Sequence, residues 1–167
     1  MVTDDVGHAR AVPPEGGFGL GPALLFCPGD RPDRFAKAAD RADAVILDLE
    51  DAVAPHATDA ARRAVGEASA TLDPARTVVR VNPVGTPEHA LDVAALADTR
   101  LRTVMVAKAG PELLASLGAL ATTLPGVRVL ALCETAAGVV AARERARRRE
   151  GGARRGGGVQ RPVLQHP

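Results

Sequence analysis

Five short apolar segments, four of which contain β-branched residues, alternate with five helix-like segments along this chain. The predicted strands cover residues 23–27, 44–49, 77–81, 103–106 and 127–133. The predicted helices follow at 33–41, 58–70, 88–97, 111–122 and from 138 to about 147. The strands begin about 20 to 35 residues apart, which is the spacing of βα units. The pattern therefore predicts an α/β fold built on a parallel sheet.

Composition narrows the class of protein further. The chain has 167 residues, enough for one domain with a real core, and 46% of them are hydrophobic. Three Phe and no Tyr or Trp argue against binding of single-stranded nucleic acid, which depends on aromatic stacking. No apolar run approaches the roughly 20 residues of a membrane span, and the first residues do not resemble a signal peptide. A cytoplasmic protein without a membrane partner is expected.

The two ends of the chain differ in character from its centre. Residues 1–21 are polar and rich in Gly and Pro, which predicts a flexible leader before a folded domain at 22–147. Eight Arg and two Glu between Arg143 and Arg161 contribute +6 to a net charge of +1, so the remainder carries −5. The Arg/Gly-rich residues 148–167 are predicted to be disordered. They are either a tail that binds nucleic acid or a membrane surface or, as we favour, an abnormal end typical of out-of-frame translation of a GC-rich gene.

Charged residues follow three of the predicted strands. Asp48, Glu50 and Asp51 lie at the end of strand 2, Arg80 interrupts strand 3, and Glu134 follows strand 5. Parallel α/β folds carry their chemistry at the carboxyl ends of the strands. The arrangement predicts a site for a divalent cation and an anionic substrate.

Each of these residues also has an ordinary structural interpretation. Glu134 suits a hard cation such as Mg²⁺, but a Glu at a helix N-terminus also interacts favourably with the helix dipole. Arg80 suits bidentate binding of a substrate carboxylate, or it pairs internally with Asp48 or Glu50. Asp51 could cap a helix. The residues alone leave these alternatives open.

Three further residues carry weaker signals. Lys108 follows strand 4, where contact with an anionic substrate competes with the favoured interpretation of a solvated, snorkelling lysine. Cys27 and Cys133 lie in predicted strands and are expected to be buried free thiols.

Four motifs, in order, resemble one known family. They are LLFCPGDRPDRF at 24–35, ILDLEDAV at 46–53, VRVNP at 79–83 and LCETAAG at 132–138. Together they resemble the citrate lyase β-subunit-like (CitE-like) members of the HpcH/HpaI aldolase family, over about residues 22–145. The resemblance implies a (β/α)₈ (TIM) barrel, often homo-oligomeric, of which this chain retains about five βα units.

The resemblance also implies an activity. Family members are carbon–carbon lyases that act on acyl thioesters such as citryl- or malyl-CoA, or on acyl-carrier thioesters, and use Mg²⁺ to hold a 2-oxo acid. By resemblance, Arg80 matches the arginine that binds the oxo-acid carboxylate and Glu134 matches one Mg²⁺ ligand. Glu50 and Asp51 match acidic catalytic positions near the water shell of the metal.

The region around Phe26, Arg31 and Lys37 matches, more loosely, the part that meets substrate or CoA. The chain also departs from the family pattern. The family's second metal-binding Asp lies beyond the Glu134 unit, where this chain has its Arg/Gly-rich residues, and Ala107 replaces a usual Pro. A C-terminally truncated member with weak or absent activity is expected. The alternative is a non-catalytic α/β fragment that binds anions or a partner.

Overall fold

The computed structural model describes residues 19–142, which form one parallel sheet with helices packed against it. The strands run in chain order across the sheet: β1 Leu24–Pro28, β2 Ala44–Asp48, β3 Thr77–Val81, β4 Thr103–Val106 and β5 Arg128–Ala131. Every neighbouring pair is parallel. The predicted α/β class with about five βα units is confirmed. The tail predicted at 148–167 lies outside the described residues.

Helices connect the strands in the predicted order. They are α1 Phe35–Arg41, α2 Thr58–Ala68, α3 Pro87–Leu96 and α4 Glu112–Thr123, and residues 136–142 are also helical. Short 3₁₀ turns at Pro32–Arg34 and Pro55–Ala57 precede α1 and α2. Strand 5 is shorter than the predicted 127–133, because its partner β4 offers only four residues for regular pairing.

The start of α3 shows how local chemistry defines an element. The Thr86 hydroxyl oxygen accepts the backbone N–H of His89 at 3.2 Å, and Pro87 occupies the first helical position. Ser and Thr favour the N-cap because their side chains satisfy a backbone N–H at the helix end, and Pro has none to satisfy. Together they begin the helix that packs behind β3.

The two faces of the sheet are covered differently. Alternate strand residues such as Val45, Leu47 and Val79 pack against the helices and form the main core. The other residues face away from the helices and form a smaller cluster that contains Ala44, Ile46, Val78, Met105 and Leu20. Leu20 falls within the predicted leader 1–21, yet only 4% of its surface is exposed. The packed domain therefore includes residue 20.

The helix-free face leads directly to the charged residues. In register, Asp48 of β2 lies beside Arg80 of β3, and Arg80 lies beside Met105 of β4. Since side chains two apart on a strand share a face, Arg80 continues the row that begins with Val78. The helix-free face is thus apolar in the middle of the strands and charged at their carboxyl ends.

Within the described residues, β1 and β5 are the edges of the sheet. Leu25 and Phe26 of β1 are 41% and 46% exposed, although both are large and apolar. None of the helices in the described part of the chain has the length and apolarity that crossing a membrane requires.

The two cysteines form no disulfide; Cys27 is buried as predicted, whereas Cys133 is only half-buried. Burial raises the pKa of the Cys27 thiol, so little of it is the reactive thiolate at pH 8. We expect iodoacetamide to modify Cys27 more slowly in the native protein than in urea, as followed by peptide mass spectrometry. Equal rates under the two conditions would contradict the burial of Cys27.

Candidate active site

Arg80 and Asp48 form the most buried ion pair at the carboxyl ends of the strands. Arg80 Nε donates to Asp48 Oδ1 at 2.7 Å and Nη2 donates to Oδ2 at 2.5 Å. Asp48 also accepts the backbone N–H groups of Glu50 and Ala52. The hydrogen bonds with Asp48 raise the pKa of Arg80, so its guanidinium stays charged. The internal pairing that the sequence left open as an alternative is present.

Glu50 is a second, nearly inaccessible carboxylate beside Arg80, with 3% of its side chain exposed. Its Oε2 lies 3.3 Å from Arg80 Nη1 but has no hydrogen-bond partner in the described part of the chain. Its Oε1 pairs with the Lys108 ammonium. A buried carboxylate is tolerated here because two cations face it. One of its oxygens nevertheless retains unused capacity to accept a hydrogen bond.

Phe26 holds the guanidinium from a third side. The Arg80 carbon Cζ lies 4.9 Å from the centroid of the Phe26 ring, within the range of a cation–π contact. Asp48 engages one edge of the guanidinium while the ring covers its face. The orientation of Arg80 is therefore set before any ligand arrives.

Lys108 connects the acidic residues of β2 with Glu134. Its ammonium contacts Glu50 and lies 3.4 Å from Asp51, and its backbone N–H donates to Glu134 Oε1 at 3.0 Å. The hydrogen bond to Glu50 raises the pKa of Lys108. The favoured interpretation of a solvated, snorkelling lysine is wrong, because the segment after β2 places Glu50 and Asp51 beside its ammonium. The signal for this contact was a cation just after β4, together with acidic residues just after β2 in the same parallel sheet.

Arg80 and Glu134 thus belong to one chain of contacts, Arg80–Glu50–Lys108–Glu134. We call these four residues, together with Asp48 and Asp51, the rim cluster. Glu134 is exposed, and no hydrogen bond engages its Oε2 within residues 19–142. Both carboxylate oxygens of Asp48 accept hydrogen bonds from the protein, whereas Glu134 presents one oxygen to solvent. The rim cluster joins the carboxyl ends of four strands or the loops directly after them.

The donor set can be compared with what Mg²⁺ requires. No group of three or more His, Cys, Asp or Glu side chains in residues 19–142 is placed to hold a metal ion. Mg²⁺ is commonly bound by one or two carboxylates, with water and substrate oxygens completing six positions. The accessible carboxylate of Glu134 fits that mode as one protein ligand. The carboxylates of Asp48 and Glu50 are instead committed to Arg80 and Lys108.

Two other predicted substrate contacts lie apart from the rim cluster. Lys37 is exposed on α1, and among the described residues no hydrogen bond or ion pair joins it to the cluster. Arg31 forms an exposed pair with Asp33, with Nε and Oδ1 3.2 Å apart. The structure brings together Arg80, Glu50, Asp51, Phe26 and Glu134, but it leaves these two cations outside.

A buried polar network behind the site has no counterpart in the sequence analysis. Asp92 of α3 is fully buried and accepts hydrogen bonds from Arg62 Nε at 2.8 Å and from the Asn82 amide nitrogen Nδ2 at 2.8 Å. Asn82 Nδ2 also donates to the backbone carbonyl of Leu49. The network ties the end of β2, next to Glu50, to the end of β3, next to Arg80.

Comparison with known proteins gives consistent matches. The model of the HpcH/HpaI aldolase/citrate lyase family matches residues 23–151. A citrate lyase subunit beta-like protein of Mycobacterium tuberculosis (strain H37Rv) is 53% identical over 124 residues, which are 74% of this chain and 42% of that protein. An L-malyl-CoA/beta-methylmalyl-CoA lyase of Cereibacter sphaeroides (strain ATCC 17025) is 46% identical over 92 residues, which are 52% of this chain and 29% of that protein.

A solved structure agrees with the sequence matches. CitE from Mycobacterium tuberculosis, in complex with magnesium, acetoacetate and coenzyme A, superposes with a TM-score of 0.63 at 51% identity. The match covers 74% of this chain and 43% of that chain. This chain therefore spans less than half the length of these relatives.

Proposed function

Because this chain belongs to the HpcH/HpaI aldolase/citrate lyase family, we propose that its rim cluster serves carbon–carbon cleavage of an acyl thioester. The family resemblance predicted from the four motifs is confirmed. The proposed substrates are citryl-, malyl- or related thioesters of CoA or an acyl carrier, which yield a 2-oxo acid, and the proposed cofactor is Mg²⁺. The names of the relatives, which include a malyl-CoA lyase and a magnesium-bound CitE, support this class.

Arg80 is the proposed anchor for the carboxylate of the 2-oxo acid. Asp48 occupies Nε and Nη2, whereas Nη1 lies 3.3 Å from Glu50 Oε2 without a hydrogen bond in residues 19–142 and is the nitrogen proposed to meet the ligand. The Phe26 ring and Asp48 hold the guanidinium in one orientation, so a ligand meets a donor that loses little freedom on binding. This fixed donor, in one contact chain with Glu134, is the observation that carries the proposal.

Glu134 is the proposed protein ligand of Mg²⁺. The Lys108 N–H holds one carboxylate oxygen, which orients the other toward solvent and an incoming cation. When bound, Mg²⁺ supplies Lewis-acid polarisation of the oxo-acid oxygen.

Glu50 and Asp51 are the proposed acidic residues near the water shell of the metal. The side chain of Asp51 is 65% exposed and can accept a hydrogen bond from bound water, and the buried Glu50 keeps one oxygen, Oε2, without a hydrogen-bond partner in residues 19–142. Lys37, an exposed cation of α1, is proposed to meet the phosphates of CoA, and Phe26 to contact the substrate. With Glu134 as the one protein ligand within residues 19–142, we propose that the lyase activity of the 167-residue chain is weak.

Calorimetric titration with oxaloacetate tests this function. We expect Mg²⁺-dependent binding to the 167-residue protein, weakened about tenfold or more by Glu134→Gln, since losing even an outer-shell partner of a metal ligand costs about 10- to 100-fold. Glu67→Gln, the same chemical change at an exposed position of α2, is the matched control and should bind like the parent.

The rival function as a non-catalytic anion-binding module gives a different result. It predicts oxaloacetate binding that is indifferent to Mg²⁺ and unchanged by Glu134→Gln. That outcome, or release of acetyl-CoA from malyl-CoA by Glu134→Gln as fast as by the parent, would overturn the assignment of Glu134.

A further inference from the structure

Lys108 adopts a conformation that side chains rarely accept. Its φ is +48°, and it is the one non-glycine residue with positive φ within residues 19–142. A glycine would adopt this conformation without steric cost, and Gly110 stands only two residues away. A strained backbone at a candidate site is a reason to look for a function there.

The backbone around Lys108 explains why the conformation is needed. The Ala107 N–H donates to the carbonyl of Val81 at the end of β3, whereas the Ala109 N–H donates to the carbonyl of Leu132 beyond β5. Residues two apart in a regular strand would direct these groups to the same side. The turn at Lys108 reverses that direction and leaves its own N–H aimed at Glu134. Backbone geometry accounts for the turn but does not require a lysine.

The side chain of Lys108 makes contacts of its own, with the acidic residues after β2. The ammonium contacts Glu50, the carboxylate that faces Arg80, and it also reaches Asp51. One residue therefore holds Glu134 with its backbone and Glu50 with its side chain. This contact pattern links the proposed metal ligand to the proposed anchor of the oxo acid.

We propose that Lys108 is a positioning residue that couples Glu134 to the Arg80–Glu50 pair, so that a cation at Glu134 and a carboxylate at Arg80 are bound in one geometry. The inference rests on the proposed function for its ligands. The contacts of Lys108, however, are present in the ligand-free protein, and the first experiment tests them in that state.

The first experiment uses no ligand. Lys108→Gly relieves the strained backbone but removes one of the two cations that face Glu50, so the effects on melting temperature oppose each other and the protein should stay folded. In ¹H–¹⁵N spectra, the backbone amide proton of residue 108 should shift upfield when Glu134→Gln is introduced into either the parent or Lys108→Gly, because the neutral side-chain amide is a weaker acceptor than a carboxylate.

A second spectrum follows the side-chain carboxyl ¹³C nuclei. The chemical shift of the Glu50 carboxyl should change on Glu134→Gln only when Lys108 is present. A Glu50 response that persists in Lys108→Gly would overturn the coupling.

The second experiment titrates pyruvate with and without Mg²⁺. Lys108→Gly should weaken Mg²⁺-dependent pyruvate binding roughly tenfold, with partial recovery in Lys108→Arg, as for loss of outer-shell partners of a metal site. Pyruvate binding in the absence of Mg²⁺ should change much less. The matched control is Arg63→Ala, which removes an exposed cation of α2 outside the rim cluster.

The outcomes separate the two proposals. If the parent binds pyruvate with Mg²⁺ and Lys108→Gly binds it equally well, the positioning role is overturned and the proposed function stands. If the parent binds neither ligand but the Glu50 response depends on Lys108, the coupling stands and the proposed function is overturned.

Discussion

Arg80→Ala is expected to destabilise the domain by about 3–5 kcal/mol, because it leaves the buried Asp48 carboxylate without its cation and the buried Glu50 carboxylate with Lys108 alone. Asp48 and Glu50 have 1% and 3% of their side chains exposed, so water cannot replace the guanidinium. Urea unfolding followed by circular dichroism measures the loss. Arg63→Ala, which removes an exposed arginine of α2, should change stability by no more than about 0.5 kcal/mol.

Arg80→Lys separates charge from geometry at the same position. A lysine restores one positive charge but cannot donate in parallel to both oxygens of Asp48. We expect it to recover part of the stability while oxaloacetate binding remains impaired. If Arg80→Ala were as stable as Arg63→Ala, the ion pair described here would not be the structural element that the distances indicate.

Asp92→Ala is expected to have a similar cost, about 3–5 kcal/mol, because Arg62 would keep a buried charge without its buried partner. The backbone N–H of Asn82 would also lose its acceptor. Differential scanning calorimetry, or urea unfolding where the melt is irreversible, measures the effect.

Arg62 offers its own control for this prediction. It also pairs with Asp59 at 2.9 Å, but that aspartate is 79% exposed. Asp59→Ala should therefore cost no more than about 1 kcal/mol, the upper range for exposed pairs. A cost for Asp59→Ala that matches the cost for Asp92→Ala would show that burial does not decide the strength of this network.

Loss of Asp92 should also weaken ligand binding at the rim cluster. Asn82 bridges the ends of β2 and β3, and Asp92 orients its amide group. In Asp92→Ala we expect the affinity for oxaloacetate to fall at temperatures where the protein is still folded. Asp59→Ala should retain the affinity of the parent.

Much of the fold follows from patterns local to the sequence. Apolar runs of strand length between amphipathic segments predict βα units, and parallel units bring the residues after each strand to one edge of the sheet. Strands β3 and β4 have the predicted bounds, and β3 ends where the apolar residues give way to the polar Asn82. Arg80 and Glu134 stood out for the same local reason, as charges at or just beyond apolar runs.

The partners of these charges depend on the assembled structure. Arg80 meets Asp48 across 32 positions of the chain, Lys108 meets Glu50 across 58, and Arg62 meets Asp92 across 30. Local periodicity specifies which face a side chain occupies, but strand register and helix packing decide which distant group lies within hydrogen-bonding distance. The sequence by itself determined the βα pattern and the charged strand ends. Only the tertiary structure decided that Lys108 turns back on Glu134 and that Asp92 supports the rim, because both contacts require elements that are distant in the chain to pack together first.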